Sequence, residues 1–115
     1  MRKIYYLSTC STCKRIIKEL NLDNSFELQD IKANKITNQQ IEEMHKLSGS
    51  YDNLFSKRAM KYKSLGLKEK NLNESDIKDL ILKEYTFLKR PVIILNDKIF
   101  IGNSKKVVEA ISNEL

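Results

Sequence analysis

Residues 3–20 read KIYYLSTCSTCKRIIKEL, and a change of rhythm inside them decides the fold. Lys3 to Leu7 is short, rich in β-formers and closed by the polar pair Ser8-Thr9, which predicts a buried strand. From Cys13 the period turns helical. Cys13, Ile16, Ile17 and Leu20 stand at i, i+3, i+4 and i+7, one face of a helix running to about Asn21. Residues 25–31, SFELQDI, then set Phe26, Leu28 and, at the end, Asp30 against Glu27 and Gln29, the alternation of a second strand. Strand, helix, strand is a βαβ unit, for which a right-handed crossover is the rule.

Further along, Thr37 and Gln40 make a capping box ahead of Ile41, Met44 and Leu47, and Gly49 ends that helix. The stretch LFSKRAMKYKSLG predicts a helix from about Ser56 to Gly66. Asn73 with Asp76 opens another, carrying Ile77, Leu80 and Ile81. The only proline, Pro91, precedes a hairpin: Val92 to Leu95, a turn at Asn96-Asp97, then Lys98 to Ile101. Ser104 caps a last helix bearing Val107, Val108, Ile111 and Leu115. The order is β-α-β, a helical segment over about 37–84, then β-β-α. A βαβ and a ββα sharing one mixed four-stranded sheet make a thioredoxin-like α/β fold, here one domain over 1–115 with an internal helical insertion.

With 115 residues, 41% hydrophobic and 31% charged, the chain has the profile of one soluble domain. No apolar run approaches the roughly 20 residues of a membrane span. The apolar stretch near the start, Ile4 to Leu7, is too short for a secretory core, so a cytoplasmic location is expected. A net charge of +6 raises the question of nucleic acid. The basic residues are interleaved with acids, as in KELNLD and KEKNLNESD, and form no compact block. Direct nucleic-acid binding is not expected; anionic substrates or acidic partners fit the charge.

Cys10 and Cys13 are the only cysteines. A zinc site needs four ligands, and the only other soft donor is His45, so zinc within one chain is disfavoured, while a site shared between chains stays open. No bound cofactor is implied. In a reducing compartment, a Cys-x-x-Cys between a first strand and its helix is the placement of a redox pair. Cys10 would lie beside unpaired backbone N–H groups at the helix start, which favour a thiolate, with Lys14 and Arg15 adding positive charge. Cys13 falls on the apolar face and should be the more buried. Helical neighbours three apart have Cβ atoms about 5–6 Å apart, whereas a disulfide needs about 3.8 Å. Closure is feasible because Cys10 is free of helical backbone angles. Cys10 would therefore attack and Cys13 resolve. The plainer alternative, two small hydrophobes, suits Cys13 passably and Cys10 poorly.

Three stretches in order and spacing, YLSTCSTCKRIIKEL, FSKRAMKYKSLG and LKRPVIILNDKIFIGNS, resemble the glutaredoxin-linked arsenate reductase and Spx family over essentially the whole chain. The resemblance implies a thioredoxin-like fold with a helical insertion, and a catalytic cysteine at Cys10. It implies an oxyanion-binding arginine at Arg58 and an arginine, Arg90, before a cis-proline at Pro91, with the Arg90–Pro91 pair packed beside Cys10. Guanidinium forks suit such anions; otherwise Arg58 is one more charge on a solvated helix. Glutathione or a glutaredoxin/thioredoxin system would be the reductant. One position departs: those reductases carry a further arginine where this chain has Asn103, and Lys105 or Lys106 would substitute only as point charges. Many also lack a second cysteine. Both departures shift the expected chemistry from arsenate towards general thiol–disulfide exchange. The rival is an Spx-type redox sensor that binds the C-terminal domain of the RNA polymerase α subunit and catalyses nothing.

Overall fold

Four strands build one sheet in the order β2-β1-β3-β4: β1 (Arg2–Tyr6), β2 (Glu27–Asp30), β3 (Val92–Leu95) and β4 (Lys98–Ile101). The structure is a computed structural model and describes every residue from Met1 to Leu115. β1 runs parallel to β2, pairing Ile4 with Leu28 and Tyr5 with Gln29. It runs antiparallel to β3, pairing Ile4 with Ile93, and β3 pairs antiparallel with β4. Asn96 takes φ 59° in the hairpin turn, a left-handed conformation that asparagine tolerates better than bulkier residues.

Two helices cover the sheet face that carries Ile4, Ile93 and Phe100: α1 (Ser11–Leu20) and α5 (Lys105–Glu114). Ile16 and Leu20 of α1 and Ile111 of α5 join Ile4, Phe26, Ile93 and Leu95 in one buried cluster. This is the apolar face that the helical spacing predicts. Each such side chain taken fully out of water stabilises the fold by about 1.5–3 kcal/mol. α1 ends where Asn21 turns to φ 50° and gives its N–H to the Lys18 carbonyl. Ser104 caps α5, its Oγ accepting the Val107 N–H at 3.2 Å.

β2 follows the expected alternation in geometry but not in burial. Leu28 is 49% exposed, while Gln29 is buried. β2 is an edge strand, so Leu28 lies beyond the helices' cover; on the other face Gln29 satisfies its amide by donating Nε2–H to the Asn34 carbonyl at 3.0 Å. β1 also stops at Tyr6, one residue before Leu7, because Leu7 opens the turn that leads to Cys10.

The sheet, α1 and α5 form one compact unit, residues 1–34 and 90–115; residues 35–89 form a second. The second holds α2 (Asn38–Ser48), α3 (Met60–Ser64) and α4 (Glu74–Lys83) with three single 3-10 turns. Capping boxes open α2 (Thr37 with Gln40) and α4 (Asn73 with Asp76), and Gly49 closes α2 at φ 91°, where a side chain would be strained. The helix expected from Ser56 starts only at Met60. Tertiary pairing overrides its local pattern. Phe55 bridges Leu88, the Ser56 N–H donates to the Phe87 carbonyl at 2.7 Å, and the Phe55 ring packs against Phe87 at 5.3 Å between centroids. No helix is long and apolar enough to cross a membrane.

Candidate active site

Cys10 is the N-cap of α1, with φ −95° and ψ 109°, outside the helical region. Its N–H closes a turn onto the Leu7 carbonyl at 2.9 Å, and its carbonyl accepts the Lys14 N–H at 3.2 Å. The side chain is half-buried. Cys13, one turn on, is fully buried, and both are free thiols. No acidic residue occupies the first turn of α1, so nothing there opposes a negative sulfur.

The two thiols are pulled in opposite directions. Partial burial works against ionisation of Cys10, but it is outweighed by the Cys13 N–H and thiol, the Thr12 N–H and the Arg90 charge, so its pKa is lowered from 9.0. Burial pushes Cys13 up to about 11, helped by its bond to the Cys10 sulfur and by the Cys10 charge; the Leu7 N–H and Arg90 act against this. The surroundings thus favour the thiolate form at Cys10 and the protonated thiol at Cys13.

The cation acting on Cys10 is Arg90, not its own helix neighbours. Lys14 and Arg15 are exposed, and Arg15 pairs with Glu19 at 3.5 Å, a contact worth little at a solvated surface. The Arg90–Pro91 peptide bond is cis. The Pro91 carbonyl accepts the Gly102 N–H at 2.9 Å, which sets the Gly102–Asn103 corner beside the proline, with Gly102 at φ 96° and Asn103 exposed. The structure therefore gathers Cys10, Cys13 and Arg90 in the sheet unit, with Pro91 next to Arg90. Arg58 belongs to the helical unit, where it is exposed in the turn before α3. His45 lies in that unit too, its ring stacked on Tyr51 at 4.2 Å between centroids.

A further contact near Cys10 was not legible in the pattern. Asp30, read from sequence only as the last member of a strand alternation, accepts the Ser8 hydroxyl at 2.5 Å and the Ser8 N–H at 3.3 Å. Its one sequence signal is weak: a carboxylate at the end of a short parallel strand.

A mixed sheet with helices, a Cys-x-x-Cys where the first strand enters its helix and a cis-proline opening the third strand define a thioredoxin-like α/β protein. The chain belongs to the ArsC family, whose family profile matches residues 5–111. Solved structures agree in fold. The arsenate reductase from Vibrio cholerae superposes with a TM-score of 0.78 at 14% identity, over 99% of this chain and 97% of that one. An arsenate reductase (ArsC) related protein from Brucella melitensis gives 0.72 at 19% identity, over 95% and 92%. The SACOL0876 protein from Staphylococcus aureus COL gives 0.74 at 26% identity, over 96% and 97%. No match was found among curated proteins.

Proposed function

We propose that the protein is an arsenate reductase-like, thiol-dependent oxidoreductase in which Cys10 is the nucleophile and Cys13 the resolving thiol. The observation that supports this best is the opposed pull on the pair: a lowered, half-buried thiol at a helix start and a raised, fully buried one a turn later. ArsC family membership supports the reaction class.

With a disulfide substrate, the Cys10 thiolate attacks one sulfur, the S–S bond breaks, and one half leaves as a thiolate that takes up a proton. The other half stays on Cys10 as a mixed disulfide. Cys13 then loses its proton and attacks the Cys10 sulfur, expelling the second half. The substrate has gained two electrons and the cysteine pair has lost two. With an arsenate-like oxyanion, attack forms a sulfur–arsenic bond and expels an oxygen as water. Attack of Cys13 on the Cys10 sulfur leaves that bonding pair on arsenic, which departs in its trivalent state. Either path ends in a Cys10–Cys13 disulfide, which two glutathione thiols, or a glutaredoxin or thioredoxin dithiol, would reduce. A reducing cytoplasm is the setting in which such a cycle runs.

The order of steps is favoured by the electrostatics. Two of the influences holding the proton on Cys13 come from Cys10, its sulfur and its charge. Both vanish once Cys10 is covalently occupied, leaving burial opposed by the Leu7 N–H and Arg90. Arg58 and Arg90 are proposed to bind the oxyanion or a glutathione carboxylate through bidentate hydrogen bonds. Asn103, where the arsenate reductases carry an arginine, favours the disulfide substrate over arsenate. The test is turnover with arsenate, a small mixed disulfide and a protein disulfide, each with glutathione and with glutaredoxin. Turnover with at least one is expected. No turnover with any, together with oxidation-sensitive binding to the RNA polymerase α C-terminal domain, would replace the enzyme by an Spx-like sensor.

A further inference from the structure

We propose that Asp30 is a positioning residue for the nucleophile: acting through Ser8, its carboxylate holds the Leu7–Cys10 turn where Cys10 caps α1. This rests on Cys10 being the nucleophile. Three donors converge on the one carboxylate. The Ser8 hydroxyl reaches Oδ2 at 2.5 Å, the Ser8 N–H reaches Oδ1 at 3.3 Å, and the Lys32 N–H reaches Oδ1 at 3.2 Å. The Lys32 bond is local and is what a strand-end aspartate ordinarily makes. The other two span 22 positions of sequence and join the end of β2 to the loop that leaves β1.

That loop needs an anchor. The Ile31 N–H bonds the Tyr6 carbonyl at 2.9 Å, after which the chain from β1 turns away and the Asp30 side chain takes over the tether. Ser8 lies between the two residues that set the thiol geometry. Leu7 closes the turn with the Cys10 N–H and aims its own N–H at the Cys13 sulfur, while Cys10 follows two residues later. A shift at Ser8 therefore reaches both sulfurs. Only a carboxylate accepts all three donors without offering one of its own, and those bonds favour its ionised form, led by the Ser8 hydroxyl.

A charge effect of Asp30 and a tether effect would move Cys10 in opposite directions, which makes the proposal testable. Losing a nearby negative charge favours the thiolate; losing the tether frees Cys10 from the Thr12 and Cys13 N–H groups and disfavours it. The experiment measures iodoacetamide alkylation of Cys10 against pH in the full chain, resolved at the Cys10 peptide by mass spectrometry, beside thermal unfolding. Asp30→Ala is expected to raise the Cys10 midpoint by about half to one pH unit, the effect of losing one backbone hydrogen bond to the sulfur. Ser8→Ala, which keeps its N–H, should raise it by less. Asp30→Asn, with one acceptor oxygen left, should fall between wild type and Asp30→Ala. Lowered midpoints in both Asp30 variants would mean that only charge matters and would overturn the proposal. So would unchanged midpoints with a lowered melting temperature. If Asp30→Ala does not fold, the order of Ser8→Ala and Asp30→Asn against wild type decides in the same way. A wild-type midpoint at or above the free-thiol value of about 8.5 strikes the nucleophile assignment instead.

Discussion

At the junction of β1 and α1, Cys10 gives up its proton more readily than a free thiol, whereas in the helical unit Tyr51 holds its own up to about 12. The physical means are similar, and the outcomes differ because of what surrounds each group. The Tyr51 hydroxyl donates to Glu42, whose carboxylate also takes Lys78 Nζ at 2.8 Å. His45 stacks on the ring, and Glu74 accepts the Tyr51 and Asp52 N–H groups at 2.7 and 3.1 Å. These side chains satisfy one another in a neutral-phenol network that ties α2 to α4. At Cys10 the favoured form is a nucleophile, stabilised by backbone N–H groups and one arginine on a side chain that still meets solvent. A displaced titration marks a reactive site only where the favoured form is both reactive and reachable.

The strongest way to break this contrast is to remove the two reactive groups. Cys10→Ser should bring turnover with every thiol-linked substrate to background with the melting temperature unchanged. Oxidation of the wild-type chain should remove two hydrogens from the monomer's mass as a Cys10–Cys13 disulfide forms, and Cys13→Ser should abolish that product. Interchain dimers as the sole oxidation product would make Cys13 a core hydrophobe.

Next in size is the arginine pair. Arg90→Lys or Arg58→Lys keeps charge and loses the fork, so turnover should fall roughly ten- to a hundredfold, the equivalent of a charge-assisted hydrogen bond of about 1.5–3 kcal/mol. Arg90→Gln, which removes the charge, should also raise the alkylation midpoint of Cys10, because Arg90 is the cation acting on it. An unchanged profile would remove Arg90 from the site.

Alkaline unfolding sharpens the comparison from both sides. Cys13 is raised from 9.0 to about 11 and Tyr51 from 10.0 to about 12. Between each pair of values the unfolded chain has released a proton that the folded chain keeps. Both contributions are therefore complete below the ordinary pKa and lost as pH rises through the folded one. Cys10 acts oppositely: below 9.0 the folded chain releases its proton first, so stability rises with pH there. Urea midpoints measured from neutral pH upward should fall beyond 9.0, and Tyr51→Phe should remove part of that fall.

At neutral pH, Tyr51→Phe should cost about 1 kcal/mol of stability, the net worth of one hydrogen bond, and leave Cys10 alkylation and turnover untouched. Slower turnover at unchanged stability would put Tyr51 in the functional machinery. The smallest effect lies on the acid side. Asp23, Asp30, Glu42 and Glu84 all titrate below their ordinary values through hydrogen bonds from Ser25, Ser8, Lys78 and Lys61 respectively. Their contribution is present above 3.8 for the aspartates and 4.5 for the glutamates, and fades as pH falls through the lowered values. The melting temperature should decline gently over that range.

Much of the fold was legible because its signals are local. Thr37 with Gln40, Asn73 with Asp76, Ser104 and Asn96 each act on backbone within a turn of themselves, and each does in the structure what its sequence context predicts. The apolar spacing of Cys13, Ile16 and Leu20 needed only the helical period. The late start of α3 was hidden because Phe55 is drawn into an extended pairing with Leu88, far along the chain. Lys14 and Arg15 looked like the cations of the site because they are adjacent in sequence, yet both are exposed.

By itself, then, the sequence determined the kinds and order of the elements and the placing of Cys10 at a helix start, since caps, turns and periodicity act over a few bonds. The family resemblance pointed to Arg90, but only the tertiary structure put its charge on the thiols and tied the Asp30 carboxylate to Ser8. Arg90 acts on the thiols because β3 pairs with β1, and Asp30 reaches Ser8 because β2 lies along β1's other edge. Electrostatics and hydrogen bonds depend on distance through space, and strand order sets that distance.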